Sequence, residues 1–280
     1  MAENSTAQQR AAAFYENALH PAGSCCGGGS NAFMRAAGYG SAELKDLPED
    51  AVGNSFGCGN PLAFAGVRPG ETVLDLGCGA GIDLLIAAKQ AGPKGKVIGV
   101  DLSEVMLERA RANAAQAGAT NIDLRQGTIE ALPVEPGTVD WVISNCVINL
   151  SPDKSQVFEE IRRVLKPGGH MLMSDMVAER LPDWIVHNAG LQGACMAGTL
   201  SEHEYLAAVR DAKLTNIAVV DRLVYDDSQL RALLGELLPS ALDGFVGSPE
   251  ATTKAEILAV VVAAISGSVQ SLKISAARPI

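Results

Sequence analysis

The chain has 280 residues, of which 48% are hydrophobic, and this length is sufficient for one sizeable core with an appended subdomain. Its formal net charge is −10. Electrostatic binding to nucleic acid or to an anionic membrane is therefore not expected, because both need clustered Lys and Arg. A neutral or small substrate is compatible with this charge.

Neither a targeting segment nor a membrane span is predicted. Residues 1–10 are polar and lack an apolar signal core, and the longest apolar run, residues 257–265, is too short to span a membrane as a helix. We therefore expect a cytoplasmic protein. Six cysteines are too few for a disulfide scaffold, and a reducing compartment would keep them as free thiols that can act as ligands.

From residue 72 onward, short apolar runs alternate with amphipathic stretches, which is typical of successive βα units around a parallel sheet. The sequence predicts an α/β, Rossmann-like fold with a mostly parallel sheet and helices on both faces. The predicted strands cover, in chain order, residues 72–76, 96–101, 122–125, 139–144, 170–176 and 217–224. The predicted helices cover residues 82–90, 104–116, 156–165 and 201–212. Ser103 is the predicted N-cap of the second helix.

A glycine loop follows the first predicted strand and reads Asp75-Leu76-Gly77-Cys78-Gly79-Ala80-Gly81. Glycines permit a tight turn and let backbone amides approach a ligand at a helix N-terminus. The spacing is Gly-x-Gly-x-Gly, which differs from the Gly-x-Gly-x-x-Gly of dinucleotide-binding loops. Asp101 ends the next strand, where a carboxylate can accept hydrogen bonds from both hydroxyls of a ribose. A structural βα turn with a helix-capping acid is the alternative interpretation.

This loop resembles motif I of the class I S-adenosylmethionine-dependent methyltransferases. Two later segments strengthen the resemblance: residues 127–133, Gly-Thr-Ile-Glu-Ala-Leu-Pro, where the family binds adenine, and residues 165–169, Leu-Lys-Pro-Gly-Gly. The resemblance implies the class I methyltransferase fold with S-adenosylmethionine as cofactor. It also implies cofactor contacts at Asp75, Gly77, Cys78, Gly79, Gly81, Asp101, Leu102, Met106, Thr128, Ile129, Glu130 and Asn145. Within this set, Cys78 is expected to be a small buried residue.

Three further cysteines lie in loops around the predicted core. Cys58 precedes the first strand, Cys146 follows the fourth, and Cys195 lies in the insertion after the fifth. Ligands bind at the carboxyl ends of strands in such sheets, so Cys146 is expected to face the methyl donor. Separations of 88 and 49 residues match no zinc-finger spacing, so only a folded pocket could unite the three. Taken singly, each cysteine is also compatible with ordinary burial as a small apolar residue.

The contexts of these cysteines resemble the arsenite S-adenosylmethionine methyltransferase family, over about residues 12–225. The matching segments are Phe56-Gly57-Cys58-Gly59-Asn60-Pro61, Ser144-Asn145-Cys146-Val147-Ile148-Asn149-Leu150-Ser151-Pro152-Asp153-Lys154 and Gly193-Ala194-Cys195-Met196-Ala197-Gly198. The resemblance implies that Cys58, Cys146 and Cys195 are the catalytic residues and bind trivalent arsenic. Either Cys25 or Cys26 matches a further cysteine that takes part in some members.

The same resemblance implies the reaction and its partners. The expected substrate is arsenite or its thiol conjugates, and the expected products are monomethylated and then dimethylated arsenicals, in arsenic detoxification. A thiol reductant, glutathione or thioredoxin, would act as co-substrate. The lone pair of thiolate-held arsenic would attack the methyl carbon without a general base, so the protein's task would be mainly to position the reactants.

The expected domain organisation has four parts. They are residues 1–60, an N-terminal cap with Cys-containing loops; 61–177, the S-adenosylmethionine-binding core; 178–225, the arsenic-binding insertion and the end of the core; and 226–280, a C-terminal segment without an assigned role. The match after about residue 225 is weak, and residues 226–267 could be lineage-specific packing or an oligomer contact. A monomer is favoured.

Two alternative functions stay open on the sequence. The first is an S-adenosylmethionine-dependent methyltransferase of an organic small molecule, such as a quinone, whose cysteines only pack; a large apolar cavity and activity that survives Cys146→Ser would favour it. The second is a non-catalytic As(III)-binding sensor or buffer. The intact glycine loop and Asp101 argue against the second, because a buffer has no need of a methyl donor.

Overall fold

The computed structural model describes residues 2–19, 34, 37–179, 181–182, 198–231, 234 and 253–280. The strands of its sheet are β1 (Thr72–Leu76), β2 (Lys96–Asp101), β3 (Ile122–Gln126), β4 (Val139–Asn145), β5 (Leu165–Ala178), β6 (Thr215–Val224) and β7 (Val269–Ala277). The helices are α1 (Ala2–Ala18), α2 (Ser41–Leu44), α3 (Glu49–Gly53), α4 (Ile82–Ala91), α5 (Glu104–Gln116), α6 (Lys154–Val164), α7 (Glu202–Asp211) and α8 (Lys254–Ile265). Short 3-10 turns cover Pro61–Ala63 and Ile148–Leu150. Among the described helices, none is long and apolar enough to cross a membrane.

The sheet follows the order β3-β2-β1-β4-β5-β7-β6. Strands β1 to β5 pair in parallel, whereas β7 runs antiparallel to both of its neighbours, β5 and β6. The order changes direction between β1 and β4, and the carboxyl ends of two such strands border the crevice in which open α/β sheets bind ligands. The predicted α/β fold with a mostly parallel sheet is confirmed.

Helices cover both faces of this sheet because its inner strands are apolar on both sides. Val73 of β1 packs in the same buried cluster as residues of α4 and α5, whereas the next residue, Leu74, packs with residues of α6 and α7. Successive side chains of a strand point to opposite faces, so two cores form. These cores fix the ends of β1, β2 and β4 relative to one another.

Most of the predicted elements agree closely with the structure. Five of the six predicted strands differ from the observed ones by no more than two residues at either end. Helix α5 has the predicted limits, and Ser103 caps it as expected, since its Oγ accepts a hydrogen bond from the Met106 N–H at 3.3 Å. Gly118 has a φ of +66° just after this helix, a conformation that favours glycine at a helix end.

The beginning of β5 differs from the prediction. We expected a helix over residues 156–165 and a strand from residue 170, with a turn between them, but α6 ends at Val164 and the strand begins at Leu165. Residues 165–169, the additional part of β5, are held by hydrogen bonds to Arg278, the residue that follows β7. The Gly168 N–H donates to the Arg278 carbonyl oxygen at 3.0 Å, and the Arg278 N–H donates to the Gly169 carbonyl oxygen at 2.8 Å.

The end of the sheet also differs from the prediction. Residues 217–224 were expected to complete it, and residues 226–280 had no place in it. The structure instead inserts β7 between β5 and β6, with nine residue pairs from His170 and Ala277 to Ala178 and Val269. The preceding helix α8 buries Val262 in one cluster with Cys58 and Cys146. The C-terminal segment therefore supplies part of the core.

Candidate active site

A pocket of about 160 Å³ lies at the carboxyl ends of β1, β2 and β4, and α1 lines another side of it. All twelve positions predicted to contact the cofactor line this pocket, from Asp75 in β1 to Asn145 at the end of β4. Helix α1 adds Ala11, Ala12 and Tyr15. Contact between these residues and a cofactor stays a prediction, but the structure brings all of them to one space.

The glycine loop is shaped for close approach by a ligand. Gly77, Gly79 and Gly81 have φ angles of +63°, +51° and +97°, which favour glycine. A Cβ on Gly77 would lie 2.4 Å from Cγ2 of Val147, whereas a Cβ on Gly79 would meet nothing within 4 Å. The loop is anchored to β2, since the Gly77 N–H donates to the Val100 carbonyl oxygen at 2.8 Å. It therefore combines a fixed backbone with open space at Gly79.

Asp101 joins the end of β2 to this loop. Its Oδ2 accepts a hydrogen bond from the Gly79 N–H, and its Oδ1 accepts one from the Ser103 N–H, both at 2.9 Å. Burial raises the pKa of the Asp101 carboxyl above its ordinary value, and the two backbone N–H groups oppose that rise. The carboxylate is thus held in one orientation at the edge of the pocket, where a ribose hydroxyl could donate to it.

Asp75 supplies an incompletely satisfied carboxylate at the base of the pocket. It is 2% exposed, and its Oδ2 has no hydrogen-bond partner among the described residues. Burial raises the pKa of this carboxyl well above its usual value, and the nearby Asp83 and Asp101 carboxylates raise it further. A positively charged ligand would relieve both effects. The pocket therefore fits a cofactor that carries a positive charge, as S-adenosylmethionine does.

A second buried carboxylate connects the pocket to the Cys58 loop, which we define as residues 57–59. Asp83 accepts hydrogen bonds from the Tyr39 hydroxyl at 2.8 Å and from Asn145 Nδ2 at 3.0 Å. Burial raises the pKa of the Asp83 carboxyl to about 6 against these two hydrogen bonds. Sequence reasoning missed Asp83. Its only signal is an acid in the first turn of α4, and acids are common there because they stabilise the helix dipole.

Asn145 holds the Cys58 loop directly. Its Nδ2 donates to the Gly59 carbonyl oxygen at 2.5 Å, and its Oδ1 accepts from the Gly59 N–H at 3.2 Å. The glycines that flank Cys58 are needed for space. A Cβ on Gly57 would lie 2.2 Å from Asn145 Nδ2, and one on Gly59 would lie 1.9 Å from Ser174 Oγ. The loop is therefore packed against Asn145 at the end of β4 and against Ser174 within β5.

Cys58 and Cys146 meet at this point and form a disulfide, with their Cα atoms 5.9 Å apart. Free thiols were expected from the sequence, which gives no distance between residues so far apart along the chain. Both cysteines approach one group: the Cys146 N–H donates to the Ser174 carbonyl oxygen at 2.8 Å, and Cys58 Sγ lies 3.6 Å from the same oxygen. Cys146 also lines the pocket. Cys195, Cys25 and Cys26 lie outside the described residues.

The surroundings of the cysteine pair are apolar. Cys58 and Cys146 are 3% and 5% exposed, and they share a cluster with Met176, Val262 and Ile265. The remaining described cysteine, Cys78, is a buried free thiol in the glycine loop. Burial raises the pKa of its thiol well above the usual value, so Cys78 stays protonated and unreactive. Within the described part of the chain, no group of three His, Cys, Asp or Glu side chains could hold a metal ion.

Comparison with known proteins identifies the family. A model described as a methyltransferase domain matches residues 68–213. The arsenite methyltransferase of Halobacterium salinarum is 40% identical over 202 residues, which cover 71% of this chain and 51% of that protein. The chain thus spans about half the length of the curated relatives it matches.

Comparison with solved structures supports the same family. An arsenic(III) S-adenosylmethionine methyltransferase from Chlamydomonas reinhardtii is 33% identical with a TM-score of 0.63, and the match covers 85% of this chain and 72% of that chain. A geranyl diphosphate C-methyltransferase from Streptomyces coelicolor shares the fold, with 20% identity, a TM-score of 0.63, and coverage of 97% of this chain and 98% of that one. The family predicted from the cysteine contexts is confirmed, and the chain belongs to the arsenite S-adenosylmethionine methyltransferases, a class I methyltransferase family.

Proposed function

We propose that this protein transfers methyl groups from S-adenosylmethionine to trivalent arsenic held by cysteine thiolates. The observation that carries the proposal is the position of Cys146. Its sulfur is paired with that of Cys58, and the residue itself lines the pocket shared by all twelve predicted cofactor positions. The cysteine pair adjoins the pocket at the end of β4, which supports a thiol site beside a cofactor site. The family supports arsenic as the acceptor.

The residues of the pocket fit the cofactor in three ways. The glycine loop offers an open backbone at Gly79, Asp101 offers an oriented acceptor for ribose hydroxyls, and Asp75 offers negative charge for a cationic group. S-adenosylmethionine, when bound, supplies a methyl group made electrophilic by its sulfonium. The protein's contribution is to hold the acceptor beside that group in a reactive arrangement, which can lower a barrier by roughly 7 to 11 kcal/mol.

Arsenic binding requires the reduced form of the cysteine pair. Two equivalents of a small thiol would reduce the disulfide, giving the Cys58 and Cys146 thiols and one molecule of the oxidised thiol as its own disulfide. Glutathione or thioredoxin would serve as this reductant. Arsenite then exchanges its hydroxyl groups for thiols, with one water released for each As–S bond formed. Trivalent arsenic is soft, and soft ligands such as thiolates suit it.

We assign Cys195 as the third arsenic ligand. The described chain resumes at Gly198, three positions after Cys195 in the sequence, and the Gly198 backbone packs tightly on Asn149, since a Cβ there would lie 2.0 Å from the Asn149 carbonyl oxygen. Asn149 follows Cys146 by three positions. Gly198 therefore lies beside the turn that follows Cys146, and this supports a place for Cys195 near the cysteine pair. Each methyl transfer would release S-adenosylhomocysteine and raise arsenic from the trivalent to the pentavalent state. Two further thiols of the reductant would return arsenic to the trivalent state and would themselves form a disulfide. Repeated cycles would then give monomethylated and dimethylated arsenicals.

Methyl transfer to arsenite tests the proposal. Wild type, Cys58→Ser, Cys146→Ser and Cys195→Ser would be compared with excess glutathione, with arsenic species separated by chromatography and quantified by mass spectrometry. We expect methylated arsenic from wild type and its loss in all three variants. Binding of S-adenosylmethionine, measured by calorimetry, should remain in each variant and serves as the control for folding. The absence of methylated arsenic from a wild type that binds the cofactor would contradict the proposal, and so would full activity of Cys146→Ser.

A further inference from the structure

The backbone carbonyl of Cys58 accepts hydrogen bonds from two side chains of the C-terminal part of the chain. The Tyr225 hydroxyl donates at 3.2 Å and the Ser271 hydroxyl at 3.1 Å. Both side chains are buried, at 6% and 3% exposure. We propose that these two hydroxyls are positioning groups that hold Cys58 where its reduced thiol can share arsenic with Cys146. The inference rests on the proposed function and adds residues from outside the matched methyltransferase domain.

The sheet itself delivers the two hydroxyls to one carbonyl. Ser271 lies in β7, opposite Met176 of β5 on one side and Leu223 of β6 on the other. Tyr225 directly follows β6, and its N–H donates to the Val269 carbonyl oxygen at 3.3 Å. The first residues of β7 therefore lie beside the end of β6, and both segments contact the Cys58 loop. The antiparallel insertion of β7 brings this arrangement about.

The Cys58 loop belongs to no helix or strand, so specific contacts fix its position. Its two glycines pack closely on Asn145 and Ser174. Asn145 holds the loop at Gly59, one residue beyond the thiol. In the oxidised protein the disulfide fixes Cys58 as well. Once that bond is reduced, the Tyr225 and Ser271 hydroxyls still hold the Cys58 carbonyl, while the Cys58 thiol lies 3.6 Å from the Ser174 carbonyl oxygen.

Both donors keep their protons under ordinary conditions. Burial raises the pKa of Tyr225 to about 12, so its hydroxyl remains a donor at physiological pH. A serine hydroxyl does not ionise in this range. A peptide carbonyl oxygen has two lone pairs, and here two hydroxyls fill both. Removal of one donor would cost about 0.5 to 1.5 kcal/mol, which corresponds to a change in affinity of about twofold to tenfold.

Tyr225→Phe, Ser271→Ala and the double variant test this role in the reduced full-length protein. The matched control is Ser275→Ala, because Ser275 lies four residues further along β7 on the same face of the strand. Three quantities would be compared: arsenite affinity by calorimetry, the KM for S-adenosylmethionine, and the rate at which iodoacetamide alkylates Cys58, assigned by peptide mass spectrometry. The alkylation rate reports on Cys58 whether or not arsenic is the substrate.

We expect each single variant to weaken arsenite binding by about twofold to tenfold and the double variant by more, with faster alkylation of Cys58 and an unchanged KM for S-adenosylmethionine. Ser275→Ala should match wild type. Wild-type affinity and alkylation in the double variant would overturn the inference. If wild type does not methylate arsenite, the proposed function fails, and the alkylation comparison still decides the positioning role. Tyr225→Phe removes only an oxygen, so it serves as the test if the double variant does not fold.

Discussion

Asn145 and Gly59 exchange two hydrogen bonds, one through each polar atom of the asparagine amide. Asn145 immediately precedes Cys146, and Gly59 immediately follows Cys58. One side chain therefore ties together the backbones of the two cysteines that form the thiol pair. The same amide nitrogen reaches the Tyr39 hydroxyl and Asp83, and Asp83 lines the pocket. The geometry of the cysteine pair is therefore linked to the pocket through Asp83.

Replacement of Asn145 by alanine should weaken arsenite binding by the reduced protein. Two hydrogen bonds to Gly59 are lost, and we expect a decrease in affinity of about tenfold, with about 1 to 3 kcal/mol less stability. Calorimetry with arsenite and denaturation by urea measure these effects. Asn121→Ala is the control: Asn121 donates to the Ala88 and Gly92 carbonyl oxygens, far from the cysteines, so its loss should affect stability only. Equal arsenite affinity in Asn145→Ala and wild type would contradict this account.

A single methyl group on the Cys58 loop should disrupt the thiol site. In Gly59→Ala the new Cβ would lie 1.9 Å from Ser174 Oγ, so either the loop or β5 must move. We expect loss of most arsenite binding and methyl transfer. Gly53→Ala provides the control, since a Cβ there meets nothing within 4 Å. Methyl-transfer assays on both variants decide the point, and near wild-type activity of Gly59→Ala would show that the loop tolerates displacement.

Asp101→Asn should weaken binding of S-adenosylmethionine. The carboxylate accepts from two backbone N–H groups, and the substituted amide offers one oxygen in place of two. Because hydrogen bonds to charged groups contribute about 1.5 to 3 kcal/mol, we expect a decrease in affinity of about tenfold or more, measured by calorimetry. Asp123→Asn removes a carboxylate that pairs with Lys96 and Arg125 on the protein surface, and it should leave cofactor affinity unchanged. An equal effect of the two substitutions would argue against a role for Asp101 in the pocket.

Asp175 should make stability depend on pH. It is fully buried beside Tyr205, whose hydroxyl donates to it at 2.7 Å, and burial raises its pKa to about 7 against that hydrogen bond and the charge of Lys154. The folded protein then keeps a proton that the unfolded chain loses near pH 4. This contribution to the free energy of unfolding is therefore present at low pH and decreases as the pH rises from about 4 to about 7.

Asp175→Asn tests the direction of this pH dependence, because an amide does not ionise in this pH range. The free energy of unfolding of wild type should decrease between about pH 5 and about pH 8, and that of the variant should decrease less. Urea denaturation of both proteins at the two pH values measures this difference. Asp123→Asn provides a contrast. The pKa of Asp123 is lowered by hydrogen bonds from Arg125, so its contribution is lost as the pH falls. A pH dependence of Asp175→Asn equal to that of wild type would show that Asp175 does not titrate as described.

The twelve predicted positions meet in one pocket, and the sequence could indicate this because its signals are local. The glycine loop, Asp101 and Ser103 lie in contiguous motifs beside strands with clear apolar patterns, and such motifs fold in nearly the same way wherever they occur. The residues of the Cys58 loop were also identified from a contiguous segment. Their contacts with Asn145 were not predicted, because a sequence motif does not indicate which distant side chain packs against it.

The C-terminal strand was the main failure, for two physical reasons. Its partner β5 lies about a hundred residues earlier in the chain, so no local pattern indicates the pairing. Its sequence also includes buried polar residues, which interrupt the apolar alternation of a strand. Lys273 is 8% exposed because Asp221 accepts a hydrogen bond from its Nζ at 2.7 Å and the Phe64 ring lies 4.7 Å from that nitrogen. These compensating contacts become visible only after folding.

The position of β7 has a consequence during protein synthesis, because β7 is made after all the residues that line the pocket. As the nascent chain leaves the ribosome, β1 to β5 can pair in turn, and the glycine loop with its neighbours can form at their carboxyl ends. Among the described residues, however, β6 pairs only with β7. Both donors of the Cys58 carbonyl depend on β7, since Ser271 belongs to this strand and the Tyr225 N–H donates to the Val269 carbonyl oxygen. The residues that line the pocket, all within residues 8–151, are thus synthesised before β7, and the Cys58 carbonyl gains its two hydroxyl donors only when β7 is in place.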